Sequence, residues 1–339
     1  MLKKLTLIII ILTFTIKVFA FNIIRICEKE NDITIIWNVV NDTCQKFNKY
    51  EIYGRESATD NFKKIDENKS YFNNEYVHIG AGTVSNNWEY FIVAIIQCGN
   101  QKMIYSDTLN IDKNPPKKIN IDSVSVKNGR VIIGWEKSKD KDTKGYIVYY
   151  VNGAMNIIID TLIGNTNTYF TDKAIRDPRN QTFVYKVVAM DSCENLSIFS
   201  DKHNNIKLNI SQNFCSKTVS LNWNRYIAWD IDSINYEILV KIEGKNKFKI
   251  LYTVAGSVQD IVINNLENDT NYVFKIRARN LNNNFTSSSN ELEIKTNFIN
   301  TPESIYLRNV SVKSDNEIEI KWEIRQKGDI KKFNIYRGI

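Results

Sequence analysis

This chain of 339 residues has only two histidines, His78 and His203, with four prolines and 13 glycines. Scarce histidine removes the commonest metal ligand and general base. The two are isolated from each other and read as structural or surface residues. Five cysteines (Cys27, Cys44, Cys98, Cys193, Cys215) include no CxxC pair, which argues against zinc. A Gly-rich phosphate loop, GxSxG and HExxH are all missing. The expectation is a non-enzymatic protein with no cofactor and no metal. Few Gly and Pro, with 43% hydrophobic and 24% charged residues, exclude a disordered linker and suit several folded domains. Basic residues form no run, so no nucleic-acid partner is expected.

Long apolar runs are also missing, except at the N-terminus. Residues 1–20 read as a secretory leader: Lys3 and Lys4 open it, Leu5 to Ile16 is apolar, and Val18-Phe19-Ala20 offers a cleavage site. Twelve apolar residues reach about 18 Å as a helix, short of the ~30 Å hydrocarbon core. The expected location is secreted or extracellular, associated with the cell surface, with no membrane span after cleavage. The formal net charge is +7; less Lys3, Lys4 and Lys17 of the leader, about +4 is left.

What the chain has in abundance is an alternation of aliphatic residues ending in tryptophan. Val131-x-Ile133-x-Trp135 recurs as Ile33-x-Ile35-x-Trp37, Val219-x-Leu221-x-Trp223 and Ile318-x-Ile320-x-Trp322. A period of two puts all three side chains on one face of a strand. The four tryptophans are a domain length apart rather than a solenoid turn. After each of the first three come an aromatic-x-aliphatic pair (Tyr50-x-Ile52, Tyr146-x-Val148, Tyr236-x-Ile238) and a strand ending in alanine. Those strands are Trp88-x-Tyr90-x-Ile92-x-Ala94, Phe183-x-Tyr185-x-Val187-x-Ala189 and Tyr272-x-Phe274-x-Ile276-x-Ala278.

Alternating strands bury one face each, so two sheets meet as an all-β sandwich with Trp37, Trp135, Trp223 and Trp322 as structural core. The expected modules are 21–114, 115–207, 208–298 and an incomplete fourth at 299–339. Pro115-Pro116 marks the first boundary, because proline has no N–H for a sheet. The fourth has Trp322 and Phe333-x-Ile335 but no alanine strand, and the expectation is that the native chain continues or the gene is interrupted. In such a sandwich Cys44 and Cys98 fall at one pole of module one, which makes Cys44–Cys98 the preferred disulfide. Cys193–Cys215 would need a bent junction, and free buried thiols are the alternative.

These residues resemble a run of fibronectin type III domains: strand-B Trp, strand-C Tyr-x-aliphatic and strand-F Tyr-x-aromatic-x-aliphatic-x-Ala. The resemblance covers three modules and half of the fourth, with Trp88 where the family usually has Tyr. It implies tandem immunoglobulin-like sandwiches. Asp191-Ser192-Cys193-Glu194-Asn195-x-Ser197, His203 and Trp223-x-x-Tyr226-x-x-Trp229 resemble exported surface proteins of Bacteroidota. Those often end in a gliding-motility-associated or type IX sorting domain, which is not found here.

Tyr226 and Trp229, in the loop after the Trp223 strand, are the candidate ligand-stacking residues, placed to stack on sugar rings. The alternative is that they pack under their own loop or against module two. Asp140-x-Asp142 and Asp230-x-Asp232 read as turn residues ahead of a Ca²⁺ site, which needs six or more oxygens. Lys241, Lys245, Lys247 and Lys249 read as edge protection. Asp107-Thr108-Leu109, Asp122-Ser123-Val124, Asp160-Thr161-Leu162 and Asp232-Ser233-Ile234 match the Asp-Ser/Thr-aliphatic pattern that is glycosylated on exported Bacteroidota proteins. The function expected is a spacer or adhesive scaffold with a protein or carbohydrate ligand. The runner-up is the accessory region of a larger secreted enzyme. A cytokine-receptor ectodomain is weakened by the lack of Trp-Ser-x-Trp-Ser.

Overall fold

The computed structural model describes residues 21–338 apart from 86, 175, 301–303 and 326–327. The expected leader lies outside the described residues. The chain divides into two compact units. One runs up to Pro115 and also takes in Asp191–Asn195; the other holds Pro116–Met190 and the chain from Leu196 onward.

In the first unit, Ile23–Lys29, Asp32–Trp37 and Glu75–His78 form a three-stranded antiparallel sheet. Lys63–Asn68, Phe47–Arg55, Glu89–Cys98 and Asn100–Tyr105 form the facing one, with Leu109–Asn110 also pairing the third of these. The same plan, a three-stranded sheet facing a larger one, appears twice in the second unit. Ile121–Lys127, Arg130–Trp135 and Tyr169–Thr171 oppose Thr143–Asn152, Met155–Ile163, Val184–Asp191 and the short His203–Asn204. Leu208–Asn213, Thr218–Trp223 and Asp260–Ile263 oppose Ile234–Ile242, Lys249–Ala255, Asn271–Asn280, Thr286–Ser288 and Leu292–Lys295. The fold is all-β, made of tandem immunoglobulin-like, fibronectin type III-like sandwiches.

The reason is visible residue by residue. In Asp32–Trp37, Arg130–Trp135 and Thr218–Trp223 every second side chain is buried, ending on the tryptophan. Each tryptophan meets a tyrosine of the opposite sheet: Trp37–Tyr50 at 5.3 Å, Trp135–Tyr146 at 5.5 Å and Trp223–Tyr236 at 5.5 Å between ring centroids. That tyrosine then fixes the chain leaving the tryptophan strand. The N–H groups of Val40, Ser138 and Tyr226 donate to the hydroxyls of Tyr50, Tyr146 and Tyr236 at 3.1, 2.8 and 2.8 Å. A buried hydroxyl needs such a partner, so the bond sets both loop and ring.

A second repeated device closes each sandwich. The final strand breaks at a buried serine: Ser106, Ser200 and Ser289. Each Oγ accepts an N–H from the alanine-bearing strand (Ile92, Val187 and Ile276, at 2.8, 2.9 and 2.9 Å) and donates to the next carbonyl. The last strand of module one is accordingly split in two around Ser106.

The fourth tryptophan departs from expectation. Ile305–Ser314 and Glu317–Ile324 pair as a two-stranded hairpin, while Phe333 and Ile335 lie in no strand. Register places Ile305, Leu307, Val310 and Val312 opposite Ile324, Trp322, Ile320 and Ile318, all on one face. No second sheet covers that face among the described residues, so Trp322 is 37% exposed, in contact with Phe333 at 5.4 Å, and is not a core residue.

Candidate functional site

Of the two readings of the loop after Trp223, ligand surface or inward packing, the structure overturns the first and shows the second. Tyr226 is 0% exposed and Trp229 7%. Their rings lie 4.4 Å apart and face inward, so neither offers a face to a sugar. The loop turns at Ala228, whose φ of 77° is left-handed.

Hydrogen bonds explain the inward packing. The Tyr226 hydroxyl accepts the Val124 N–H at 3.1 Å and lies 2.8 Å from Nδ1 of His203. Which of the two donates in the Tyr226–His203 bond follows the histidine tautomer. Asn204 Oδ1 accepts the Ile227 N–H at 2.7 Å, and its Nδ2 donates to the Arg225 carbonyl at 3.0 Å. From the last strands of the third sandwich, Ser287 Oγ donates to the Val124 carbonyl at 2.6 Å and the Ser288 N–H donates to Ser125 Oγ at 3.1 Å. The second and third sandwiches thus share one continuous buried core, running through Ile206, Leu208, Tyr226 and Trp229.

Tyr226, Trp229 and His203 are all buried. Burial pushes the Tyr226 hydroxyl well above the usual phenol range. Burial also pushes His203 down to about 4, with Lys118 acting the same way and Asp201 opposing. His203 is therefore a neutral structural residue near pH 7. His78 is likewise held low by burial, with its Nδ1 2.9 Å from the Tyr90 hydroxyl.

The cysteines pair as Cys44–Cys98 and Cys27–Cys193, with Cα atoms 6.1 and 5.1 Å apart, and Cys215 is free and exposed. Cys193 is thus not available to Cys215. Cys193 sits in a tight turn organised by the buried carboxylate of Asp191. Its Oδ1 accepts the N–H groups of Cys193 and Asn195, both at 2.8 Å, and Asn195 Nδ2 donates to the Asp112 carbonyl at 3.1 Å. Sequence reasoning passed over Cys27. The signal was its neighbour: Ile26 points into the core, so Cys27 must point out of it and seek a partner elsewhere.

The acidic pairs act on backbone. Asp140 Oδ2 accepts the Lys117 N–H at 2.7 Å, and Asp230 caps the short helical turn Ile231–Ser233 through the Asp232 N–H. Lys245, Lys247 and Lys249 are exposed beside the edge strand Lys249–Ala255, while Lys241 lies 4.7 Å over Phe248 and 3.6 Å from Glu291. Among the Asp-Ser/Thr-aliphatic sites, Thr108 and Thr161 are exposed, whereas Ser123 is half-buried and donates to Asp122. Among the described residues no helix is long and apolar enough to cross a membrane.

No protein-family model matches this chain, and no curated protein matches it. Among solved structures it is similar to the crystal structure of chicken CNTN1 FN1–FN3 domains. The identity is 15%, over 82% of this chain and 97% of that one, with a TM-score of 0.24.

Proposed function

We propose that this protein is an exported, non-enzymatic scaffold whose tandem fibronectin III-like sandwiches act as spacer and adhesive contact surface at the cell surface. The observation that carries this reading is where the reactive side chains go. His203, Tyr226, Trp229, Asp191 and His78 are all engaged in holding chain to chain, leaving sheet faces and strand edges as the contact surface. Two disulfides support an oxidising compartment, since cytosolic thiols are kept reduced. The resemblance to exported Bacteroidota surface proteins, the leader-like N-terminus and the exposed Thr108 and Thr161 support the same address. The partner is a protein or a carbohydrate.

The test is surface protease shaving of intact native cells, followed by mass spectrometry of released peptides, with attachment of the purified chain to matrix-coated and cell-coated wells. Release of peptides from residues 21–338 and saturable attachment are expected. Peptides found only after cell lysis would overturn the reading.

A further inference from the structure

Tyr226 and Trp229 face inward, but another aromatic faces out beside a formed cleft. In the second sandwich, Val131, Ile133 and Trp135 point into the core, so Ile132 and Gly134 point to the opposite face. Register places Tyr169, Gly134 and Ser123 in one row across the three strands, and Thr171, Ile132 and Ser125 in the next. The centre of the first row carries no side chain: a Cβ on Gly134 would meet Asp122 Oδ1 at 2.5 Å. The Asp122 carboxylate and the Ser123 hydroxyl therefore fill the space over Gly134, beside the Tyr169 strand.

That face is walled by Arg179 on one side and by Lys275, Ser288 and Glu291 of the third sandwich, giving an open cleft of about 610 Å³. The volume lies in the range of small-ligand sites. Tyr169 is 68% exposed, so its ring is free to meet a ligand. Of the three cations that line the cleft, Lys127, Arg179 and Lys275, the last two are compensated in place. The Arg179 guanidinium is held by both carboxylate oxygens of Asp177, and Lys275 Nζ lies 3.2 Å from Glu291. An anionic ligand would thus meet an opposing carboxylate beside both Arg179 and Lys275. A neutral ligand with many hydroxyls would find donors and acceptors together, since each hydroxyl both gives and accepts.

We propose that this cleft binds a neutral saccharide, with Tyr169 stacked on the C–H face of a pyranose ring and the Ser123 and Ser125 hydroxyls and the Arg179–Asp177 and Lys275–Glu291 pairs reading its hydroxyls. The inference rests on the adhesive reading and names the ligand class and the place.

The experiment is calorimetric titration of the full chain with cellohexaose, maltohexaose, xylohexaose and laminarihexaose, and with tetragalacturonate as the anionic probe. Binding of at least one neutral hexasaccharide is expected. Tyr169→Ala should weaken it by roughly tenfold or more, Tyr169→Trp should retain it, and both variants should melt like the parent, because the ring is exposed. No binding by any neutral probe overturns the proposal, as does equal binding by a normally folded Tyr169→Ala. Tighter binding of tetragalacturonate overturns the neutral assignment. If the titrations fail while the chain still attaches to coated wells, the cleft is wrong and the scaffold reading stands. Intracellular location removes the scaffold reading whatever the cleft binds.

Discussion

Tyr226 gives its backbone N–H to the hydroxyl of Tyr236 at 2.8 Å, while its own hydroxyl accepts the N–H of Val124, 102 positions upstream. One residue therefore closes a loop within the third sandwich and secures it to the first strand of the second. Removing only the hydroxyl isolates the second role. Tyr226→Phe should keep the fold and cost about 1–3 kcal/mol, because the buried Val124 N–H loses its acceptor. Urea unfolding of the full chain, followed by tryptophan fluorescence, measures this. An unchanged midpoint would contradict the role given to the bond.

His203 makes the same junction sensitive to acid. Its folded pKa, about 4, lies below the ordinary 6.5, so the folded state favours the neutral ring. The contribution is fully present above pH 6.5 and is lost as pH falls toward 4, by roughly 3 kcal/mol at 1.36 kcal/mol per pH unit. The groups facing the ring are Tyr226, Trp229, Asp201 and Lys118. Carboxylates elsewhere titrate in the same window, so the comparison is with His203→Gln. Urea midpoints at pH 7.5, 6 and 4.5 should fall more steeply for the parent than for the variant, and parallel slopes would exclude the histidine as the cause.

The serine that interrupts each final strand predicts three matched effects. Ser106→Ala, Ser200→Ala and Ser289→Ala each leave a buried N–H without its side-chain acceptor, at an expected cost of about 1–3 kcal/mol. Hydrogen exchange should show faster exchange at the Ile92, Val187 and Ile276 amides in the corresponding variant alone. Faster exchange spread over the whole sandwich would mean the serine acts globally.

Non-reducing peptide mapping should recover Cys27 linked to Cys193 and Cys44 linked to Cys98, with Cys215 alkylated without reduction. Cys193→Ser should lower stability by about 2–5 kcal/mol, the usual cost of losing a native bridge. A Cys193–Cys215 peptide would overturn the pairing.

How much of this was legible in the sequence follows from how local each feature is. The strand ending at Trp135 was readable because alternation is written into neighbouring residues. The same alternation at Ile318-x-Ile320-x-Trp322 does form a strand. Burial, however, needs a second sheet, and no period within one strand reports whether that sheet is present. The sequence leaves Tyr226 and Trp229 open between a ligand surface and packing under their loop or against module two, because a loop has no period to say which way a ring turns. The deciding partners, Val124 and Ser287, are far off in the chain. Cys27 and Cys193, 166 positions apart, are unreadable as a pair for the same reason. The repeated serines were present in the sequence but carry no periodic signal. Only the three superposed registers reveal their common task.

The stretch His203-Asn204-Asn205-Ile206, which carries the chain from the second sandwich to the third, is buried at every position. A tether usually yields first at its joints, where a few unpaired residues straighten under load. This joint has no slack to give, so tension along the second and third sandwiches must be borne by their strand ladders. Extension there would arrive as abrupt rupture of a sandwich rather than gradual straightening, and the pair would transmit a pull as a stiff rod up to that threshold.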